Sequence, residues 1–200
     1  GLVHDFLSRM ERKVYNGSDA VTTIDKVFYD TIVGRFDDRA KLHIIPNFVD
    51  TALYCPGVST SALDKSAFPE TDNIKVLYAG NIGFAQDWEC LVRLAEKTRS
   101  LNVEYFVIGE GVMKNYVEEK KSELGLEKLH VLPYQPRHLM PAILAYSDLQ
   151  FIFMTPQMEG QGFPSKVYTI MACGRPLLVV SGLNTPIVNF LEPVGCARLV

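Results

Sequence analysis

The sequence predicts an α/β protein. Residues 73–200 read as a doubly wound parallel sheet covered by helices, and residues 1–50 read as the closing part of a similar domain. Two observations carry the prediction. Short apolar runs, among them Val103–Ile108 and Leu149–Met154, recur along residues 73–200 with little polar alternation, as strands buried on both faces require. Segments of helical period lie between them, which is what a parallel neighbour needs as a return path, and right-handed crossovers follow.

Leu2 to Asn16 opens the chain as a helix, with Val3, Phe6, Leu7, Met10 and Val14 on one face. Gly17-Ser18-Asp19 stops it. Ala20–Ile24 reads as a short strand. Asp25 caps a helix over Lys26–Phe36, and Lys41–Ile45 is a strand stopped by Pro46-Asn47. Residues 51–72 hold Pro56, Gly57 and Pro69 among Ser and Thr, without period, which is the composition of a linker or long surface loop.

From there strand and helix alternate. Strands are expected at Lys75–Ala79, Val103–Ile108, Leu129–Leu132, Leu149–Met154, Leu177–Val180 and from Ala197 onward. Helices are expected at Ala85–Arg99, Val112–Leu124, His138–Tyr146, Pro164–Cys173 and Pro186–Leu191. Gly125 stands where a left-handed helix stop belongs, and Pro164 falls in a first turn that tolerates it.

Composition removes several classes. A formal net charge of -3 gives no reason to expect a nucleic-acid partner. The four cysteines form no C-x-x-C and the four histidines no H-x-x-x-H, so reduced buried thiols are expected rather than disulfides, and no metal site. No apolar run approaches the length of a spanning helix, and no signal peptide is visible. The chain begins with Gly and stops inside an apparent strand, so it reads as a piece of a longer protein.

In a sheet of this kind ligands bind beyond the carboxyl ends of the strands. The first such loop is Gly80-Asn81-Ile82-Gly83, where glycine allows close backbone approach to an anion. Gly109-Glu110-Gly111 is the second. The third is Pro133-Tyr134-Gln135-Pro136, where Tyr134 can stack on a base and neighbouring amides can read its edge. The first is equally readable as a plain strand-to-helix turn, and the third reads more readily as a Pro-bounded turn with a surface tyrosine. The fourth runs from Pro156 through Phe163 to a helix whose first turn holds Ser165 and Lys166. A cation there opposes the helix dipole unless an anion binds, and that conflict marks a diphosphate site. A lysine pointing into solvent is the bland alternative. Thr169, four residues after Ser165, shares that face and is placed to reach a ribose. No nucleophile elbow or P-loop is present, and the carboxylates Asp87, Glu110 and Glu159 make no evident acid–base pair.

In order, these pieces resemble the C-terminal half of a GT-B glycosyltransferase of family 4, the large retaining family. GSDAVTTID followed by KLHIIPNFVDTALYCPG is similar to the end of the acceptor domain and its passage into a linker. VLYAGNIGFAQDWECLVRLAE is similar to the glycine loop and first helix of the donor domain, FVIGEGVMKNYVEEKKSELGLEKLHVLPYQPRHLMPAILAYSDLQFI to its central part, and GFPSKVYTIMACGRPLLVV to its donor-site helix. The GNIG-x-AQ and PSK-x-Y versions resemble the subgroup that builds bacterial surface polysaccharides.

The resemblance implies two Rossmann-like domains: the end of the acceptor domain over 1–50, a linker over 51–72, and a truncated nucleotide-sugar domain over 73–200. It implies a UDP- or GDP-linked sugar donor as substrate, no cofactor and no required metal. The acceptor would be a lipid-linked or polysaccharide glycan at the cytoplasmic membrane face, with retention at the anomeric carbon. The diphosphate would lie against Gly80, Asn81, Gly83, Ser165 and Lys166. The base and ribose would lie against Gly109, Tyr134, Gln135 and Thr169, and the sugar against Glu159, Gln161, Gly162 and Phe163. Two glutamates that the family places eight apart fall at Gln161 and Thr169, so both are replaced, and Glu159 stands out of register. An Arg and a Lys common near the glycine loop are likewise missing, since Phe84 and Gln86 follow Gly83. Lys166 and backbone amides are left to hold the charge.

No catalytic residue is assigned, and this chain alone is expected to bind donor and catalyse little. Two alternatives stay open: a non-catalytic nucleotide-binding scaffold, favoured by the missing glutamates, and a GT-B-like sugar-nucleotide epimerase. A Rossmann dehydrogenase lacks its G-x-G-x-x-G at a strand-to-helix turn.

Overall fold

Residues 1–158 and 163–200 are described by the computed structural model, and the chain divides into two units, Gly1–Phe48 and Val49–Val200. The first unit is a single strand–helix–strand turn preceded by a helix. Helix α1 (Leu2–Gly17) buries none of its residues. Strands β1 (Val21–Thr23) and β2 (Leu42–Ile44) pair in parallel, Val21 beside Leu42. Between them runs α2 (Lys26–Ile32), capped as expected by Asp25, whose carboxylate accepts from Phe28 N at 2.8 Å. A 3-10 turn over Val33–Arg35 ends this helix earlier than its pattern suggests. The ring of Phe36, buried, stacks on Tyr15 with centroids 5.0 Å apart.

In the second unit the alternation is complete: β3 (Ile74–Ala79), α3 (Trp88–Lys97), β4 (Val103–Ile108), α4 (Lys114–Glu123), β5 (Leu129–Leu132), α5 (Met140–Tyr146), β6 (Leu149–Phe153), α6 (Lys166–Ala172), β7 (Leu177–Val180), α7 (Pro186–Leu191) and β8 (Ala197–Leu199). The described residues form a six-stranded sheet in the order β5-β4-β3-β6-β7-β8, every pair parallel. This is a Rossmann-like doubly wound sheet, with its order reversing between β3 and β6.

Both faces are covered, which is why the strands are apolar throughout. On one face Val76, Tyr78, Tyr105, Val107 and Phe153 meet Trp88, Leu91 and Val92 of α3 and Val117 of α4. On the other, Leu77, Phe106 and Ile108 meet Ala142 and Ile143 of α5. Around β7, Leu177 and Val179 pack with Val167 and Ile170 of α6 and Ile187 and Leu191 of α7.

The segment 51–72, which composition reads as a linker or surface loop, is irregular but packed. Its Leu63 and Phe68 are buried in the same cluster as Leu77 and Phe106, and Pro56 lies against the α6 stop at Gly174. Helix starts also differ from the periodic pattern. Asp87 caps α3, accepting from Cys90 N at 3.0 Å, so that helix begins at Trp88 rather than Ala85. Helix α4 begins at Lys114 rather than Val112, because Met113 N is spent on Ile82 O at 3.0 Å. Helix α6 begins at Lys166, leaving Pro164 outside it and Ser165 at the cap position. Its stop is as expected: Gly174 has φ +64°, and Arg175 N reaches back to Ile170 O at 3.2 Å.

Candidate functional site

Strands β3 and β4 pair over the whole of β3, from Ile74–Val103 to Ala79–Ile108. Strands β3 and β6 pair only at Val76–Leu149 and Leu77–Gln150. The sheet therefore opens toward its carboxyl end at the place where the strand order reverses, the point at which sheets of this type hold ligands. Lys166 fills the opening. From the first turn of α6 its Nζ donates to Ala79 O, the last carbonyl of β3, at 3.0 Å. It stands 3.7 Å from the centre of the Tyr78 ring. Burial pulls its pKa from the ordinary amine range to about 7. Among the described residues no carboxylate pairs with it. It is an amine held in place with no counter-ion among the described residues.

The glycine loop is built around the same point. A Cβ on Gly80 would stand 2.8 Å from Lys166 Nζ, so the absent side chain is what lets the lysine in. Gly109 at φ +154° brings β4's loop so close that its Cβ would lie 1.9 Å from Gly80 O. The two loops are stitched by Gly80 N to Ile108 O at 2.9 Å and Ile82 N to Glu110 O at 2.8 Å. Those two amides are therefore used. The N–H groups of Asn81 and Gly83 donate to none of the described residues, which leaves them for an anion. Gly83 O accepts from Trp88 Nε1 at 2.7 Å, and Asn81 O accepts from the Tyr78 hydroxyl at 2.7 Å. The loop is thus locked from beneath. Burial pushes the Tyr78 phenol far up, so it stays a donor.

The remaining expected residues divide into groups. Tyr134 is 57% exposed, and Gln135 Nε2 bonds back to Pro133 O at 3.1 Å, closing its own turn. Ser165 is exposed, and its hydroxyl makes no cap bond. The Thr169 hydroxyl donates to Lys166 O at 2.8 Å and borders a small hollow shared with Lys166, Ala79 and Tyr54. Phe163 is half-buried and packs on Phe190 and Tyr168, with centroids 5.0 and 5.3 Å away, so it acts as an apolar wall. Glu159, Gln161 and Gly162 lie outside the described residues.

One set of residues was not marked as binding by the sequence. After Gly83 the chain does not turn directly into α3. It runs along the end of β6, with Thr155 N bonded to Ala85 O at 3.1 Å and Gln86 bridged to Met154. This course encloses a cavity of about 200 Å³ beside Lys166, walled by Tyr78, Gln86, Phe153, Met154, Met158 and Phe163. The late cap Asp87 is the sequence signal that would have shown residues 85–86 to be outside the helix. A larger hollow of about 710 Å³ lies at the opposite end of the sheet, between residues 59–72 and Tyr146. Its Lys75 is already paired with Asp148 at 3.0 Å, and that end carries no strand-to-helix loops. The carboxyl-end opening is the better candidate despite its smaller volume.

Fold and opening together define a doubly wound parallel α/β domain with a candidate ligand site at its switch point. Residues 59–188 match the family described as glycosyl transferases group 1. The chain belongs to that family. It is 24% identical over 195 residues to WcaI of Escherichia coli (strain K12), described as a colanic acid biosynthesis glycosyl transferase, covering 96% of this chain and 48% of WcaI. It is 22% identical over 195 residues to WbjE of Pseudomonas aeruginosa, described as a glycosyltransferase, covering 97% of this chain and 48% of WbjE. The chain thus spans about half the length of the curated relatives it matches. Among solved structures it is similar to Anabaena HepE in complex with UDP, with TM-score 0.74 and 16% identity over 96% of this chain and 53% of HepE. It is also similar to WaaG, a glycosyltransferase involved in lipopolysaccharide biosynthesis, with TM-score 0.68 and 12% identity over 96% of this chain and 52% of WaaG. The second unit is the GT-B type of Rossmann-like domain.

Proposed function

We propose that this chain is the donor-binding part of a glycosyltransferase that moves a sugar from a UDP- or GDP-linked donor to a lipid-linked or polysaccharide acceptor at the cytoplasmic membrane face, with retention at the anomeric carbon. The observation that carries the donor reading is Lys166. Among the described residues it is an amine without a counter-ion, at the point where the strand order reverses, beside a glycine loop with two amides that donate to none of those residues. UDP bound to the similar HepE supports a nucleoside diphosphate as its anion. The colanic acid biosynthesis role given for WcaI supports the acceptor class, and retention rests on the family resemblance. No helix among the described residues is long and apolar enough to cross a membrane.

The chemistry asked of this unit is electrostatic. As the bond from anomeric carbon to diphosphate breaks, negative charge grows on the departing oxygen. Lys166, protonated by contact with the phosphates, and the N–H groups of Asn81 and Gly83 stabilise that charge where water is largely displaced. Tyr134 offers its exposed ring to the base. Groups that orient the acceptor belong to the other half of the cleft.

The test is calorimetric titration of the chain with UDP, GDP, ADP and NAD, beside a Lys166→Ala variant whose fold is checked by circular dichroism. One nucleoside diphosphate should bind selectively. The variant should lose about tenfold or more in affinity, the scale of one hydrogen bond to a charged group. Equal affinity in a folded variant would remove Lys166 from the site.

A further inference from the structure

We infer that Tyr78 is a positioning residue of the donor site: its hydroxyl fixes the glycine loop and its ring seats the Lys166 amine, so that one side chain sets the spacing between that amine and the loop amides. The inference rests on the donor-site reading above and says how the two halves of that site are kept in register.

Three contacts carry it. The Tyr78 hydroxyl donates to Asn81 O at 2.7 Å. Lys166 Nζ lies 3.7 Å from the centre of the same ring. A Cβ on Gly80 would stand 2.8 Å from Lys166 Nζ and 3.4 Å from the Tyr78 hydroxyl, so the glycine leaves room for both. Lys166 arrives from α6 and Asn81 from the loop after β3, and Tyr78 touches both.

The ring is itself held. Trp88 meets it edge-on, with centroids 5.1 Å apart, and Phe153 lies 5.2 Å away. Trp88 also donates to Gly83 O at 2.7 Å. The carbonyls of Asn81 and Gly83 are thus both fixed from beneath, and the Gly83 N–H lies between them in the chain. Tyr78 is only 3% exposed, so little water competes for its hydroxyl.

The work divides between the two parts of the side chain. The hydroxyl acts on the loop as a hydrogen bond in a site that water barely reaches. The ring face carries negative charge density and favours an ammonium held over it. When a diphosphate brings a proton onto Lys166, the ring stabilises the cation in the place where the ligand needs it. A phenylalanine would fill the same cluster without the hydroxyl bond, and a leucine would lose the ring face as well. Those two losses can be measured apart.

The experiment is calorimetry with UDP and GDP on the chain, on Tyr78→Phe and Tyr78→Leu, and on each of these combined with Lys166→Ala, with thermal unfolding as the check of fold. Tyr78→Phe should bind the nucleotide about fivefold more weakly, the scale of one neutral hydrogen bond. In that background Lys166→Ala should still cost about tenfold, because the ring that seats the amine is intact. In Tyr78→Leu the same change should cost less than about threefold, because the amine has lost its seat. A second readout leaves Tyr78 in place. Nucleotide added to the wild-type chain should shift the Tyr78 ring resonances, and that shift should be lost in Lys166→Ala at saturating nucleotide. This decides the matter if the Tyr78 variants do not fold. Unchanged affinity in a folded Tyr78→Phe, a full cost of Lys166→Ala in Tyr78→Leu, or ring resonances that shift equally without the lysine overturns the inference and leaves the donor site standing. Failure of both UDP and GDP to bind the wild-type chain strikes the donor-site reading and takes this inference with it.

Discussion

Lys166 shows how one buried amine can carry an energetic cost in its charged form. Its amine is held between Ala79 O and the Tyr78 ring, and burial lowers its pKa to about 7. The unfolded chain keeps the ordinary value near 10.5. Between those values the unfolded state binds more protons, so this group makes stability rise with pH across that window. Below it the folded state carries the full cost of a buried charge. A Lys166→Met variant, similar in length and uncharged, should therefore be more stable than the parent at pH 6. The gap should close as pH rises toward 10. Denaturant midpoints of both proteins at pH 6, 8 and 10 check this, and a constant gap would show that the lysine stays charged and solvated when no ligand is bound.

The helices of the second unit are placed by their ends more than by their periods. Apolar spacing marks α3 from Ala85, but Asp87 accepts from Cys90 N, and the helix starts only after it. The three residues so released run beside β6 and bring Gln86 to the cavity. Asp87→Ala should cost about 0.5–2 kcal/mol, the range for loss of an N-cap, read as a lower denaturant midpoint at unchanged slope. Asp87→Asn, which can still accept, should recover most of it. The same logic governs α4. Its start is deferred by the close approach of Gly111 to Ile82 O, where a Cβ would come within 2.2 Å, and no periodic pattern contains that contact. The stops at Gly125 and Gly174, with φ +59° and +64°, were legible because a left-handed position favours glycine by itself.

For the chain as a whole, the segment 51–72 belongs energetically with the second unit. Phe68 is 4% exposed and lies against Phe106 and, edge to face, Tyr146, at centroid distances of 6.4 and 5.4 Å. The Tyr146 hydroxyl donates to Pro69 O at 2.6 Å, tying the segment to the end of α5. Phe68→Ala should destabilise this unit by about 3–5 kcal/mol, as for other buried aromatic truncations. A passive linker position would change stability by less than about 0.5 kcal/mol. Thermal and denaturant unfolding of the variant separates the two.

Strand identity, the parallel sheet, and the candidate loops at its carboxyl end were determined by the sequence alone. Runs such as VEYFVI admit little besides a strand buried on both faces, and the residues after a strand's end are fixed by the count along the chain. GNIG and PSK could be singled out for the same reason: glycine and a first-turn lysine declare a local conflict or freedom without reference to any partner. What only the tertiary structure decided is which of these residues meet. Lys166 and Ala79 are far apart in sequence and come together because β3 and β6 are neighbours that part after two paired positions. The cavity wall draws on β3, β6, the segment before α3 and the approach to α6. Its residues are ordinary core types, and an apolar residue looks the same in sequence whether it faces a neighbour or a ligand. Burial of Phe68 in a stretch of turn-forming composition has the same origin. Packing energy depends on what lies across the gap, and a linear chain does not record it.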